Sequence, residues 1–165
     1  MTMEEILTSG LAELGVPATA AQLSQLRAYY TLLDERSKVM NLTAIEGEEA
    51  TARLHFLDSA ALLRYVRLSS KTAADIGSGA GFPGIVAKLY KPQLALTLME
   101  PTCKRVDFLR YVCGQLGLEA EFVKERAEEA ARKRWREAFD VASARAVAVV
   151  YARTSPPVPS STPPK

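Results

Sequence analysis

Residues 75–85 read DIGSGAGFPGI, with four glycines, at 77, 79, 81 and 84, lying between two apolar runs. A turn this rich in glycine joins a strand to a helix where the backbone must closely approach something else, because a Cβ would collide there. Residues 72–76 form the preceding strand. Phe82, Ile85, Val86 and Leu89 give the following helix its buried face, and Lys91-Pro92 ends it. Strands and helices then alternate. Residues 94–99 read as a strand, and Val106, Leu109, Val112 and Leu116 mark a helix closed by Gly117. Residues 119–124 are a third strand, 127–135 a helix and 139–143 a fourth strand. This order predicts an α/β fold with a parallel sheet covered on both faces, of Rossmann-like type.

The segment ahead of it is helical. Ile6, Leu7, Leu11 and Leu14 recur at helical spacing and stop at Gly15. Thr19 and Gln22 predict a capping box, followed by an apolar stripe of Leu23, Leu26, Tyr30 and Leu33. A third helix begins near Glu48 and is expected to turn Leu54, Leu57, Ala61 and Tyr65 inward. The expected organisation is a helical segment over 1–68, a Rossmann-like core over 69–150 and a tail over 151–165. Residues 154–165 (TSPPVPSSTPPK) hold five of the nine prolines and too little apolar surface to offset ordering entropy, so disorder is expected there.

The ends of the strands indicate the ligand. Asp75 closes the first strand before the glycines, where a carboxylate suits a cationic amino-acid group and repels a pyrophosphate. The loop holds no Lys or Arg, which also suits a ligand without phosphate. Glu100 ends the second strand about 20 residues further on, the distance at which an acid meets a ribose diol. S-adenosyl-L-methionine is therefore the expected cofactor, bound at Asp75, Gly77, Gly79, Gly81 and Glu100. Residues 79–84 also fit GxGxxG, so a nicotinamide-dependent oxidoreductase is the alternative.

The formal net charge of +2 implies no nucleic-acid binding by itself, so any RNA contact must come from a local patch. Cys103 and Cys113 show neither CxxC spacing nor a disulfide framework, which points to a reducing, cytoplasmic setting without a structural metal. The first residues lack a signal-peptide pattern, and no apolar run approaches the roughly 20 residues that span a bilayer.

Several strings occur in a telling order: Lys38-x-x-Asn41-Leu42-Thr43-Ala44-Ile45, His55-x-x-Asp58-Ser59 and the 75–85 loop. Lys104-Arg105-x-x-Phe108-Leu109, Arg126-Ala127-Glu128-Glu129 and Ser143-x-Arg145-Ala146-Val147-Ala148 follow. Together, over roughly residues 5–148, they resemble the glucose-inhibited division protein B family, the ribosomal RNA small subunit methyltransferases G. The resemblance implies methylation of guanine N7 in small-subunit (16S) rRNA, free or in its particle, using S-adenosyl-L-methionine; a monomer is expected. It further implies that Gly77 and Phe82 hold the cofactor, that Ala127 and Glu128 lie beside adenine, and that Arg145 closes the site.

Guanine N7 carries an in-plane lone pair and no proton, so positioning rather than a base is expected to drive transfer. His55, Asp58 and Arg145 are the candidates near the chemistry. At i, i+3 and i+4, His55, Asp58 and Ser59 are expected on one helical face. Lys104 and Arg105 are candidate RNA contacts, since cations opening a helix are disfavoured by its dipole. The run Arg132–Arg136 stands four residues after Glu128 and Glu129 and reads as a solvated face. Members of the family continue past the Ser-x-Arg-Ala-Val-Ala string into further strands, whereas here residues 149–153 run into the proline tract. The expectation is a truncated or frame-shifted chain whose sheet ends in an exposed edge. A remnant that binds cofactor without catalysis is the third reading.

Overall fold

The computed structural model describes residues 1–68, 71–126, 128–129, 138–144 and 149–152, the last four as backbone. Threonine opens each of the first two helices, α1 (Met3–Glu13) and α2 (Ala20–Ser37). Thr19 Oγ1 accepts the Gln22 N–H at 3.1 Å, and the Gln22 side chain accepts the Thr19 N–H at 2.8 Å. Thr2 and Glu5 make the same reciprocal pair, so each box satisfies two amides that a helix start leaves unpaired. Arg27 on α2 ties the helices together, with Nε 2.7 Å from Glu4 and Nη1 2.6 Å from Glu48.

The third helix differs from expectation. α3 (Glu48–Thr51) passes into a π-helical segment, Ala52–Leu57, before α4 (Asp58–Tyr65) resumes the α pitch. A π turn holds more residues than an α turn and rotates everything after it. The residues turned inward are Ala52, His55, Phe56, Ser59 and Ala60. Leu54 and Tyr65, expected inside, are 54% and 79% exposed, while Leu57 and Ala61 are only half-buried. The buried positions 52, 55, 56, 59 and 60 still keep the i, i+3, i+4, i+7, i+8 spacing of a helical stripe, so the sequence offered two faces and its large apolar residues marked the outer one.

The alternating half follows the sequence closely: β1 (Thr72–Ile76), α5 (Gly84–Tyr90), β2 (Ala95–Met99), α6 (Cys103–Leu116), β3 (Glu121–Val123) and β4 (Val141–Ala144). The sheet order is β3-β2-β1-β4, all parallel, with Asp75 level with Leu98 on one side and Ser143 on the other. A fifth strand, β5 (Val149–Ala152), pairs antiparallel with β4. The sheet therefore does not end at β4. This strand continues past the expected boundary at residue 150, and its backbone pairs with that of β4. The expected helix over 127–135, with the Arg132–Arg136 run, and the proline-rich residues 154–165 lie outside the described residues, apart from Glu128 and Glu129, which are exposed and helical.

One hydrophobic core joins both halves. Met3, Leu7, Leu11, Leu26, Tyr29 and Leu33 from α1 and α2 share it with Ile85, Val86, Leu98, Leu109 and Val112. α2 packs on α5 and α6, so the division expected at residue 68 separates no cores. A smaller cluster of Ala74, Met99 and Val123, with Ile76 and Phe139, forms another part of the buried sheet.

Candidate functional site

The chain order reverses direction between β1 and β4, and ligands of open parallel sheets bind beyond the carboxyl ends of strands at such a switch point. The glycine loop leaves β1 there. Its turns are fixed from within: the Ser78 N–H donates to Met99 O at 3.0 Å, the Ser78 hydroxyl to Asp75 O at 2.8 Å and the Gly81 N–H to Ser78 O at 2.7 Å. A cleft of about 750 Å³ lined by Thr72, Ala95 and Glu121 lies at the opposite, amino-terminal ends of the strands, away from this geometry.

The four glycines divide into two pairs by what a side chain would meet. At Gly77 (φ +66°) an added Cβ meets nothing within 4 Å, and at Gly79 only Gly77 O at 3.8 Å, so this side of the loop is open. At Gly81 (φ +101°) it would come within 2.5 Å of both Ile85 Cδ1 and the Tyr29 hydroxyl. At Gly84 it would come within 2.7 Å of Asp75 Oδ2 and 2.9 Å of Leu98 Cδ2. Bare backbone at 81 and 84 is thus required by the protein's own packing. At 77 and 79 it faces space that a ligand can enter.

Asp75 is turned inward. Its carboxylate is 1% exposed, with Oδ2 accepting the Gly84 N–H at 3.1 Å and Oδ1 lying 3.4 Å from the Ser143 hydroxyl that donates to it. The sequence expectation had this carboxylate facing a ligand's cation; the structure has it capping the start of α5 and bracing β1 against β4. Glu100 is also buried, at 3% exposed, but it reaches the open side of the loop. Its Oε2 accepts the Gly79 N–H at 3.0 Å and its Oε1 the Thr102 N–H at 3.3 Å. Arg105 stands behind it, Nη1 3.8 Å from Oε1, and donates to Asn41 O at 3.5 Å through Nη2. Lys104 is exposed in the first turn of α6.

Phe82 lies in a cluster of rings. It is 3% exposed, stacked on His55 with centroids 4.2 Å apart and planes 6° from parallel, and on Tyr29 at 5.0 Å and 23°. Phe56 tilts against both Phe82 and Tyr29. The Tyr29 hydroxyl donates to Ala80 O. His55 Nε2 is 2.8 Å from Thr43 Oγ1, which also accepts the Ile45 N–H at 3.1 Å. His55 and Ser59 are buried while Asp58 is exposed, so the three do not share one face as their spacing suggested. Tyr29 was missed by sequence reasoning, which placed its neighbour Tyr30 inward. Leu26-Tyr29-Leu33 and Leu26-Tyr30-Leu33 are equally good helical stripes, and only the position of the loop separates them.

Cys103 is exposed at the start of α6, whereas Cys113 is buried and burial pushes its thiol up to about 11. Ala127 and Arg145 lie outside the described residues. Among the described residues no group of His, Cys, Asp or Glu could hold a metal ion, and no helix is long and apolar enough to cross a membrane.

A solved structure similar in shape to this chain is a protein-L-isoaspartate O-methyltransferase from Plasmodium falciparum in complex with S-adenosyl-L-homocysteine. The two align with a TM-score of 0.54 over 87% of this chain and 73% of that one, at 12% identity. That likeness establishes the fold as the Rossmann-like, class I methyltransferase type. Ribosomal RNA small subunit methyltransferases G from Alkaliphilus metalliredigens and Pelotomaculum thermopropionicum are 46% and 43% identical over 151 and 149 residues. The matched regions cover 90% and 88% of this chain but 63% and 62% of those proteins, so the chain spans less than two thirds of their length. The family model described as rRNA small subunit methyltransferase G matches residues 22–155, and the chain belongs to that family.

Proposed function

We propose that this chain carries the cofactor-binding part of an S-adenosyl-L-methionine-dependent methyltransferase acting on N7 of a guanine in small-subunit rRNA. The observation that carries the reading is the Gly77–Gly79 side of the loop, open to a ligand and joined to the Glu100 carboxylate at the ends of adjacent strands. These residues fit the cofactor. The uncrowded backbone at 77 and 79 admits a flat nucleoside, and Glu100, fixed by two amides, presents a carboxylate for a ribose diol. Asp75 acts one step removed, holding the loop and α5 in place. Glu128, Ala127 and Arg145 complete the proposed pocket, and Lys104 and Arg105 are proposed to meet RNA phosphates.

When bound, the cofactor supplies a sulfonium methyl group that the N7 lone pair takes up in line, leaving a neutral thioether and a cationic purine. The proton-free N7 requires no base from the chain, whose contribution is alignment and exclusion of water. His55, stacked on Phe82, and the exposed Asp58 are accordingly not proposed as proton carriers.

Titration calorimetry with S-adenosyl-L-homocysteine and with NADH tests the cofactor, and transfer of a labelled methyl group to small subunits or their RNA tests the reaction. Binding of the first ligand and label in the guanine are expected. Binding of NADH alone overturns the reading in favour of an oxidoreductase.

A further inference from the structure

The sequence leaves open whether the helical segment before the sheet packs on it or extends an RNA surface. Its contacts tie it to the glycine loop. Two of its side chains reach the glycine loop, Tyr29 from α2 and His55 from the π-helical segment, and Thr43 from the segment between helices holds His55. Tyr29 holds the carbonyl of Ala80 and stacks on Phe82. His55 lies nearly parallel to Phe82 on a ring separation of 4.2 Å and is 6% exposed. Thr43 orients that imidazole. Its Oγ1 lies 2.8 Å from His55 Nε2 and is itself held by the Ile45 N–H at 3.1 Å. His55 stands within the π-helical segment, and such insertions are frequent at functional sites.

We infer that His55 is a positioning residue of the cofactor loop: it clamps the Phe82 ring, under the control of Thr43, and makes the amino-terminal helices a wall of the cofactor site. The clamp sets the backbone of residues 80–82, and hence the open face at Gly77 and Gly79 that the proposed cofactor uses. The inference rests on the cofactor reading of the loop given above. The flat ring carries the effect, since stacking on Phe82 at 4.2 Å and 6° joins His55 to the loop.

The test compares the full chain with its His55→Ala, His55→Phe and Thr43→Val variants. S-adenosyl-L-homocysteine binding is measured by calorimetry, and amide exchange of residues 77–84 is set against that of β2 and α6. His55→Ala is expected to weaken binding about tenfold and to speed exchange of the loop amides by a similar factor. His55→Phe keeps a ring against Phe82 and is expected to stay within about threefold of the parent in both readouts. Thr43→Val, a milder change that preserves the fold if His55→Ala does not, is expected to weaken binding about threefold. Acceleration spread equally over loop, β2 and α6 marks a general loss of stability and overturns the clamp, as does unchanged loop exchange in His55→Ala. Equal loss in His55→Ala and His55→Phe overturns the stacking argument. A parent chain that does not bind S-adenosyl-L-homocysteine overturns the cofactor reading alone when exchange in His55→Ala speeds only in the loop, and the clamp as well when it does not.

Discussion

Gly81→Ala tests how far the amino-terminal helices and the glycine loop form one packed unit. Two costs can be worked from the structure. A φ of +101° at a residue with a Cβ costs about 1–2 kcal/mol. The new methyl group would also stand 2.5 Å from Ile85 Cδ1 and from the Tyr29 hydroxyl, both in residues with no exposed surface. Neither can retreat into solvent, and moving Tyr29 strains its hydrogen bond to Ala80 O, so overpacking adds about 2–3 kcal/mol. The expected total is about 3–5 kcal/mol, a large share of the 5–15 kcal/mol typical of a domain. Gly117→Ala is the control. That residue, at φ +67° after α6, has nothing within 4 Å of an added Cβ, so only the backbone cost of about 1 kcal/mol applies. Urea unfolding followed by circular dichroism gives both values by linear extrapolation. In a Tyr29→Phe background, Gly81→Ala should cost about 1 kcal/mol less, because the clashing hydroxyl is gone. A Gly81→Ala variant no less stable than Gly117→Ala would refute the packing of α2 against the loop.

Three further expectations follow from particular groups. Glu100→Ala removes the carboxylate that holds the Gly79 and Thr102 amides and should weaken S-adenosyl-L-homocysteine binding at least about tenfold by calorimetry; unchanged affinity would place the ribose elsewhere. Iodoacetamide at about pH 8 should label Cys103 alone in the folded chain, because burial keeps the Cys113 thiol protonated, and both cysteines once urea is added; peptide mass mapping reads this. Hydrogen bonds from Arg27 hold Glu4 and Glu48 below the ordinary glutamate range. Their contribution is therefore complete above the unfolded pKa and disappears as pH falls through the lowered folded values. Urea midpoints measured between about pH 5 and pH 3 should fall less steeply in Arg27→Met than in the parent, and parallel slopes would count against the Arg27 bridge.

The amino-acid sequence alone determined the alternating half of the molecule and the position of its loop. Strand β1 falls on the residues its apolar run marks out, Thr19 and Gln22 make the capping box their spacing predicts, and Gly117 ends α6 in the left-handed region. These are local matters: periodicity, an orphan amide, a residue without a Cβ. The identity of the family was equally legible, because six ordered strings do not depend on how they pack. Tertiary structure decided the rest. Which tyrosine turned inward, which face of the third helix carries His55 into the core, and the inward-facing carboxylate of Asp75 all depend on surfaces far apart in sequence. The division of labour among the four glycines has the same origin, since only the folded neighbours show whether a missing Cβ makes room for the protein or for a ligand. Likewise the pairing of β5 with β4 answers a need of the neighbouring strand's backbone, which no property of residues 149–152 taken by themselves reveals.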